Sequence, residues 1–237
     1  WIVKNFPPKA TIKRIWFLGM SQNGINGLKE RLSHVYFIGG APCSGKSTVV
    51  DLLAARFGLF AYHIDQHIYQ YFNQMDPQRQ PVMYKWANNP WETLWMQSHE
   101  VLFYEVVAAY QEQLEIVLEE LLCLPGEQPV IAEGNPFMPH LLAPLLMTHN
   151  QAIWLVSTSQ FLRKTYLGNR VDMVNHILRD CSQPDQAADN WMNRDVAFAE
   201  WVRKDAHNLE LEVMDVDGSR SIQENVEIVA SHFLLSR

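Results

Sequence analysis

Residues 40–47 read Gly-Ala-Pro-Cys-Ser-Gly-Lys-Ser, between an apolar run and a helical pattern. Val35, Tyr36, Phe37 and Ile38 are β-branched or aromatic for the most part, which predicts a short buried strand. From Ser47 to Phe57, Val49, Val50, Leu52, Leu53 and Phe57 recur at three- and four-residue spacings, which predicts a helix stopped by Gly58. The octapeptide matches G-x-x-x-x-G-K-[ST] at every fixed position, and each fixed position has a physical job. Gly40 and Gly45 let the backbone curl until successive N–H groups point into one anion-sized nest. Lys46 can reach the β and γ phosphates of a nucleotide, and the Ser47 hydroxyl can ligate Mg²⁺. Thr48 follows, at the start of a helix whose N-terminal dipole favours an anion. A strand, a glycine loop and a helix in this order constrain the chain to an α/β fold with a phosphate site at a strand end.

The 237 residues suffice for one sizeable α/β domain. A formal net charge of -7 argues against nonspecific nucleic-acid binding as the main activity. No apolar run approaches the roughly 20 residues needed to span a bilayer, so no membrane partner is expected, and no signal-peptide pattern opens the chain. Cys43, Cys123 and Cys181 are odd in number and lack C-x-x-C spacing, which fits a reducing cytoplasm. The chain opens on Trp1. Residues 1–33 read as an extension: Phe6-Pro7-Pro8, a basic stretch to Met20 (a candidate start), then a polar linker from Ser21 to Gly27. Residues 34–237 read as the catalytic domain.

Five apolar runs read as strands: Val35–Gly39, Leu59–Ile64, Pro129–Ala132, Ala152–Val156 and Leu211–Val216. Between and after them, helices are expected from Leu94 to Leu122, Val196 to Leu209 and Ile222 to Leu234, the last capped by Ser221 with Glu224. Strands alternating with helices predict a parallel sheet covered on both faces, in three α/β/α layers. Ligands in such a fold gather at the carboxyl ends of the strands.

Polar groups recur at those ends. Asp65 follows the second strand, where a carboxylate can accept a proton from a substrate hydroxyl or hold Mg²⁺; the structural alternative is a helix cap. His63, Asp65 and His67 have the i, i+2, i+4 spacing of a metal cluster on a strand, but the strand is expected to end near Asp65, which breaks that pattern. Glu133 follows the third strand, placed for Mg²⁺ or substrate, or for pairing with a base at the core rim. Arg170, Arg163 and Arg194, in that order, are candidates to stabilise charge on a transferring phosphoryl group. Cys43 lies in the loop beside Lys46 and a helix N-terminus, a setting expected to lower a thiol pKa and make it oxidation-sensitive; the alternative is a small residue that merely fits the loop. Residues 66–95 hold Tyr69, Tyr71, Phe72, Tyr84, Trp86, Trp91 and Trp95, which either line an acceptor pocket or pack beneath a helical insertion.

These residues resemble the P-loop kinases of small molecules: shikimate, gluconate and nucleoside kinases, chloramphenicol phosphotransferase and zeta toxins. Gly40-Ala41-Pro42-Cys43-Ser44-Gly45-Lys46-Ser47-Thr48 is similar to their G-x-P-G-S-G-K-S-T, with Cys43 in place of a glycine. The resemblance implies a five-stranded parallel sheet of order 2-3-1-4-5, an acceptor-site insertion at 66–124 and an arginine-bearing lid at 158–195. It also places Asp65 at the substrate and Gly218 beside adenine. The implied cofactors are ATP and Mg²⁺, and the implied partner is a small hydroxylated acceptor that the sequence does not name. Two other readings are a nucleotide-binding regulatory protein with slow hydrolysis and a resistance- or toxin-type phosphotransferase acting on an antibiotic or nucleotide sugar.

Overall fold

The computed structural model describes residues 19–236. The part of the expected extension before residue 19 lies outside the described residues. Five strands, Val35–Gly40 (β1), Phe60–His63 (β2), Val130–Glu133 (β3), Ala152–Ser157 (β4) and Val213–Val216 (β5), form one sheet in the order β2-β3-β1-β4-β5. Every pairing is parallel. The order is the one the resemblance implied. The helices are Gln22–Arg31 (α1), Lys46–Phe57 (α2), Ile68–Gln74 (α3), Pro81–Asn88 (α4), Trp91–Trp95 (α5), His99–Cys123 (α6), Pro139–Leu142 (α7), Ser159–Leu167 (α8), Val171–Leu178 (α9), Pro184–Asn208 (α10) and Ile222–His232 (α11).

Three layers follow from the two-residue period of the strands. Along β4, Ala152, Trp154 and Val156 face one side with residues of α1, α6, α7 and α10. Ile153 and Leu155 face the other side with residues of α2 and α11. Both faces are therefore apolar, as a parallel sheet requires. The register sets Glu133 level with Ile38 and with His63. The carboxyl ends of β1, β2 and β3 thus share one rim.

Three boundaries differ from the sequence reading, each for a local reason. The Ser21–Gly27 stretch is not a linker. It enters α1, capped by the Ser21 side chain, and Leu28 anchors the helix in the core. The long helix expected from Leu94 breaks before Ser98, whose hydroxyl accepts from Val101 N and caps α6, leaving Trp91–Trp95 as a separate turn. The helix expected at Val196 begins at Pro184, a first-turn position that suits proline. Its buried stripe of Ala187, Trp191, Phe198, Val202 and Ala206 is masked in sequence by polar neighbours. Residues 184–195, expected within the lid, are thus the first half of a 25-residue helix that packs on α6.

β1 ends where Gly40 has φ 126°, and a Cβ there would lie 1.9 Å from the Leu155 carbonyl oxygen of β4. Side-chain-bearing residues avoid that conformation, and the neighbouring strand cannot yield without breaking its ladder. Gly40→Ala is expected to cost about 3 kcal/mol, read as a lower urea midpoint. Gly126→Ala, where a Cβ meets nothing within 4 Å, is the control and should leave the midpoint unchanged.

Candidate functional site

The loop is pinned from below by β4. Ala41 N donates to Leu155 O at 3.1 Å, and the Ser157 hydroxyl donates to Pro42 O at 2.8 Å. Inside the loop, Ser44 Oγ donates to Ala41 O at 2.8 Å. Gly45 caps α2 in the left-handed conformation at φ 78°. The helix makes its first backbone bond from Val49 N to Gly45 O. The N–H groups ahead of Val49 have no partner within the helix and bear its positive end. Cys43 also sits at positive φ, 62°, where a side chain costs about 1 kcal/mol relative to glycine.

Lys46 is buried at the base of the loop. Its Nζ donates to Ala41 O at 2.7 Å and to Asn135 Oδ1 at 3.0 Å. Burial lowers its pKa, against the opposing pull of Glu133 and Asp65. Next in sequence, the Ser47 hydroxyl donates to Glu133 Oε1 at 2.9 Å. Glu133 is 3% exposed at the end of β3. Its Oε1 also lies 3.0 Å from His63 Nδ1, and His63 Nε2 lies 3.1 Å from Asp51 Oδ1. Burial alone would raise the Glu133 pKa, but His63, Lys46 and Ser47 together bring it below its ordinary value. His63 rises in return, chiefly through its hydrogen bond to Glu133, against burial that favours the neutral ring. Glu133 is thus a buried carboxylate held ionised between a serine, a lysine and a histidine.

Asp65 differs. The chain leaves β2 as a single 3₁₀ turn, Ile64–His67, with Asp65 inside it rather than capping it. Its carboxylate makes no hydrogen bond among the described residues and borders the loop cavity. One side of Asp65 is open to solvent, yet protein encloses the rest. That enclosure raises its pKa, and Glu133 adds repulsion, partly offset by Lys46, Arg170 and His63. His67 points elsewhere: it stacks on Tyr62 with ring centroids 4.7 Å apart and approaches Glu120. His63, Asp65 and His67 therefore do not converge, and no group of three metal-binding side chains of the His, Cys, Asp and Glu type occurs among the described residues.

A cavity of about 200 Å³ collects the loop residues Pro42, Cys43, Ser44, Gly45, Lys46, Ser47 and Thr48 with Asp65, Glu133, Gly134, Asn135 and Arg170. Arg170 heads α9 and is exposed, and its charge acts on Cys43, Lys46 and Asp65. Arg163 instead donates to Asn193 Oδ1 at 2.5 Å, outside this cavity. Arg194 is buried on α10 against Trp86 and Trp95. Gly218 lies in the turn after β5, against the Phe161 ring rather than on the cavity wall. Of the aromatic insertion, Tyr71 is core and hydrogen-bonds Tyr62, Tyr69 and Tyr84 are exposed, and Phe72, Trp86, Trp91 and Trp95 line a second cavity. Two polar groups had no role assigned from the sequence. Asn135 receives Lys46 and donates its Nδ2 to Tyr110 Oη at 3.1 Å. Tyr110 lies within α6, and burial pushes its pKa up to about 12. Asn135 carried a signal, its place two residues after a strand end; Tyr110 carried none.

Cys43 corrects an expectation. Burial raises its thiol pKa, and Arg170 and Lys46 do not overcome that. Cys43 borders the loop cavity on one side but clusters with the apolar side chains of Trp95, Leu162 and Tyr166, and that burial outweighs the helix N-terminus.

No family model matches the chain, and no curated protein matches it. A solved structure from Chloroflexus aurantiacus J-10-fl, described as a "putative kinase", is similar at 17% identity and a TM-score of 0.39, over 84% of this chain and 97% of that one. At that identity and score the likeness carries no argument. Among the described residues, no helix is long and apolar enough to cross a membrane.

Two outcomes follow from the charges. The raised folded pKa of His63 means its contribution is complete below about pH 6.5 and is lost as pH rises through the folded value. Glu133 contributes above about pH 4.5, and that contribution is lost as pH falls through its lowered folded value. The urea midpoint should therefore decline as pH rises above about 6.5, and His63→Gln should remove that decline. An equal decline in the variant would exclude His63 as its source. At about pH 7.5, iodoacetamide should alkylate exposed Cys123 well before Cys43 in the folded protein, as peptide mapping would resolve.

Proposed function

We propose that this chain transfers the γ-phosphoryl group of ATP to a hydroxyl of a small acceptor. One observation carries the reading most directly. A free, raised-pKa carboxylate, Asp65, borders the same cavity as a phosphate loop whose lysine is already oriented by Ala41 O and Asn135. A carboxylate free of hydrogen bonds beside that lysine can take a proton from an acceptor hydroxyl, which holding a nucleotide does not require.

Each residue takes a role suited to its surroundings. The unpartnered N–H groups at the start of α2 receive the β-phosphate, and Lys46 steadies the β and γ phosphates. Magnesium suits the oxygens of Ser47 and Glu133, with Asp65 beside them, because it keeps most of its waters and takes only one or two carboxylates. When bound, it neutralises charge that develops on the phosphates. Asp65 accepts the acceptor's O–H proton as that oxygen bonds to γ-phosphorus and the bond to the bridging oxygen of ADP breaks. Its raised pKa brings it closer to working pH than an ordinary aspartate. Arg170, exposed at the head of α9, faces the charge on the transferring group.

Screening the protein against a metabolite library for acceptor-dependent ADP release tests the reaction. Lys46→Ala is expected to abolish that release with the far-UV circular dichroism unchanged. Wild-type turnover in the variant would sink the proposal. Asp65→Asn is expected to lower kcat by about 10²–10⁴ while leaving ATP affinity near wild type.

A further inference from the structure

Asp195 and Tyr166 are buried ionisable groups to which phosphoryl transfer gives no direct role. Asp195 is 1% exposed on α10, and Tyr166 is 3% exposed in the last turn of α8. The Tyr166 hydroxyl donates to Asp195 Oδ2, and Trp191 Nε1 donates to the same oxygen at 3.1 Å. Arg194 Nε lies 2.6 Å from Asp195 Oδ1 and balances its charge. Burial holds the tyrosine pKa well above its ordinary value, so the hydroxyl keeps the proton that it donates.

What that bond holds is the end of α8. Leu162 and Tyr166, one turn apart, are the buried residues of the helix. Residues 167–173 are all exposed, and Arg170 lies in the middle of that run, yet it borders the loop cavity. A free arginine side chain loses roughly 2 kcal/mol of rotamer entropy when it is ordered, so its backbone must already be well placed for it to act there. The Arg170 N–H donates to Thr165 O at 3.0 Å, which ties its position to the last turn of α8. On the far side, the buried residue of α9 is Leu178. Tyr166 is therefore the last buried anchor before Arg170. It also meets the phosphate loop. Cys43, held at positive φ, clusters with Leu162 and Tyr166, and the Tyr166 hydroxyl reaches its thiol. The loop and the end of α8 thus share one footing. A buried ion pair adds little net stability, but a network of tyrosine, aspartate, arginine and tryptophan bonds selects one arrangement of the elements that carry it.

Resting on the phosphoryl-transfer reading above, we propose that Tyr166 is a positioning residue. Bonded to Asp195 and packed against Cys43, it fixes the end of α8 so that Arg170 faces the phosphates held by the loop.

Calorimetric titration of the whole chain with inorganic tripolyphosphate tests this without turnover. Lys46→Ala should abolish binding, which places the probe in the loop. Arg170→Ala should weaken binding about tenfold, the loss of one charge-assisted hydrogen bond. Tyr166→Phe keeps the ring and leaves Asp195 its bonds to Trp191 and Arg194. It should weaken binding by about threefold or more in the wild-type background, and not at all in Arg170→Ala. The urea midpoint separates this from a merely structural role. Tyr166→Phe should lower the midpoint equally in both backgrounds, because that loss does not pass through Arg170. An equal loss of affinity in both backgrounds, or no loss in either, would overturn the proposal. Should Tyr166→Phe fail to fold, Asp195→Asn, which takes the charge from the same bond, should show the same dependence on Arg170. No wild-type binding below about 5 mM would overturn the loop as a phosphate site and this proposal with it. ADP release in a protein whose tripolyphosphate affinity is indifferent to Tyr166 would overturn the positioning role alone. The expected affinities in a protein that releases no ADP with any library member would instead overturn the phosphoryl-transfer reading.

Discussion

The buried ammonium of Lys46 is the constraint on which the site depends. A charge below the surface must be balanced and hydrogen-bonded, or it deprotonates. Ala41 O and Asn135 Oδ1 accept hydrogen bonds from it, and Glu133 and Asp65 supply the opposing charge. Glu133 in turn needs Ser47 and His63 to stay ionised, and His63 reaches on to Asp51 of α2. One lysine thus ties together the ends of β1, β2 and β3 and the first two turns of α2. The sheet register makes this possible by setting Glu133 level with both Ile38 and His63.

Within that network the two carboxylates are driven apart. Glu133 is lowered by its partners, whereas Asp65, with no hydrogen bond, is raised. The separation comes from surroundings alone: hydrogen-bond partners hold the charge on Glu133, and enclosure without them disfavours it on Asp65. The arrangement rests on a change of backbone conformation. β2 stops at His63 and the next residues form a 3₁₀ turn, so His63 points back to Glu133 while Asp65 borders the open cavity.

The insertion and α10 show the same economy with apolar material. Tryptophans from α4, α5 and α10 meet edge to face at Trp86–Trp95 and stacked at Trp95–Trp191, beside a second cavity, with Arg194 buried against them. An arginine on a helix usually snorkels to water. This one is held under by the rings on which it lies and by Asp195.

Much of the architecture was legible in the sequence, because a glycine loop needs few residues and each has a local task. The apolar runs announced five strands, and Ser221 with Glu224 announced the cap of α11, since a strand's burial and a helix cap depend on near neighbours. The start of α10 at Pro184 was hidden because a polar face dilutes its apolar stripe. The site was only partly legible. Asp65, Glu133 and Arg170 stood out by their place at strand ends or in the segment after β4, but Arg163 and Arg194 stood there too. Only the packing of α8 and α10 sent Arg163 to Asn193 and Arg194 beneath the tryptophans. The thiol of Cys43 was misread for the same reason: sequence neighbours suggest a field, whereas burial is set by Trp95 and Tyr166, which lie far along the chain. By itself the sequence determined the glycine-bearing loop between β1 and α2 and the kind of sheet that carries it, because those are written in local backbone chemistry. Which side chains share the cavity, and which charges are raised or lowered there, was decided only by tertiary structure, since desolvation and pairing depend on residues that the fold alone brings together.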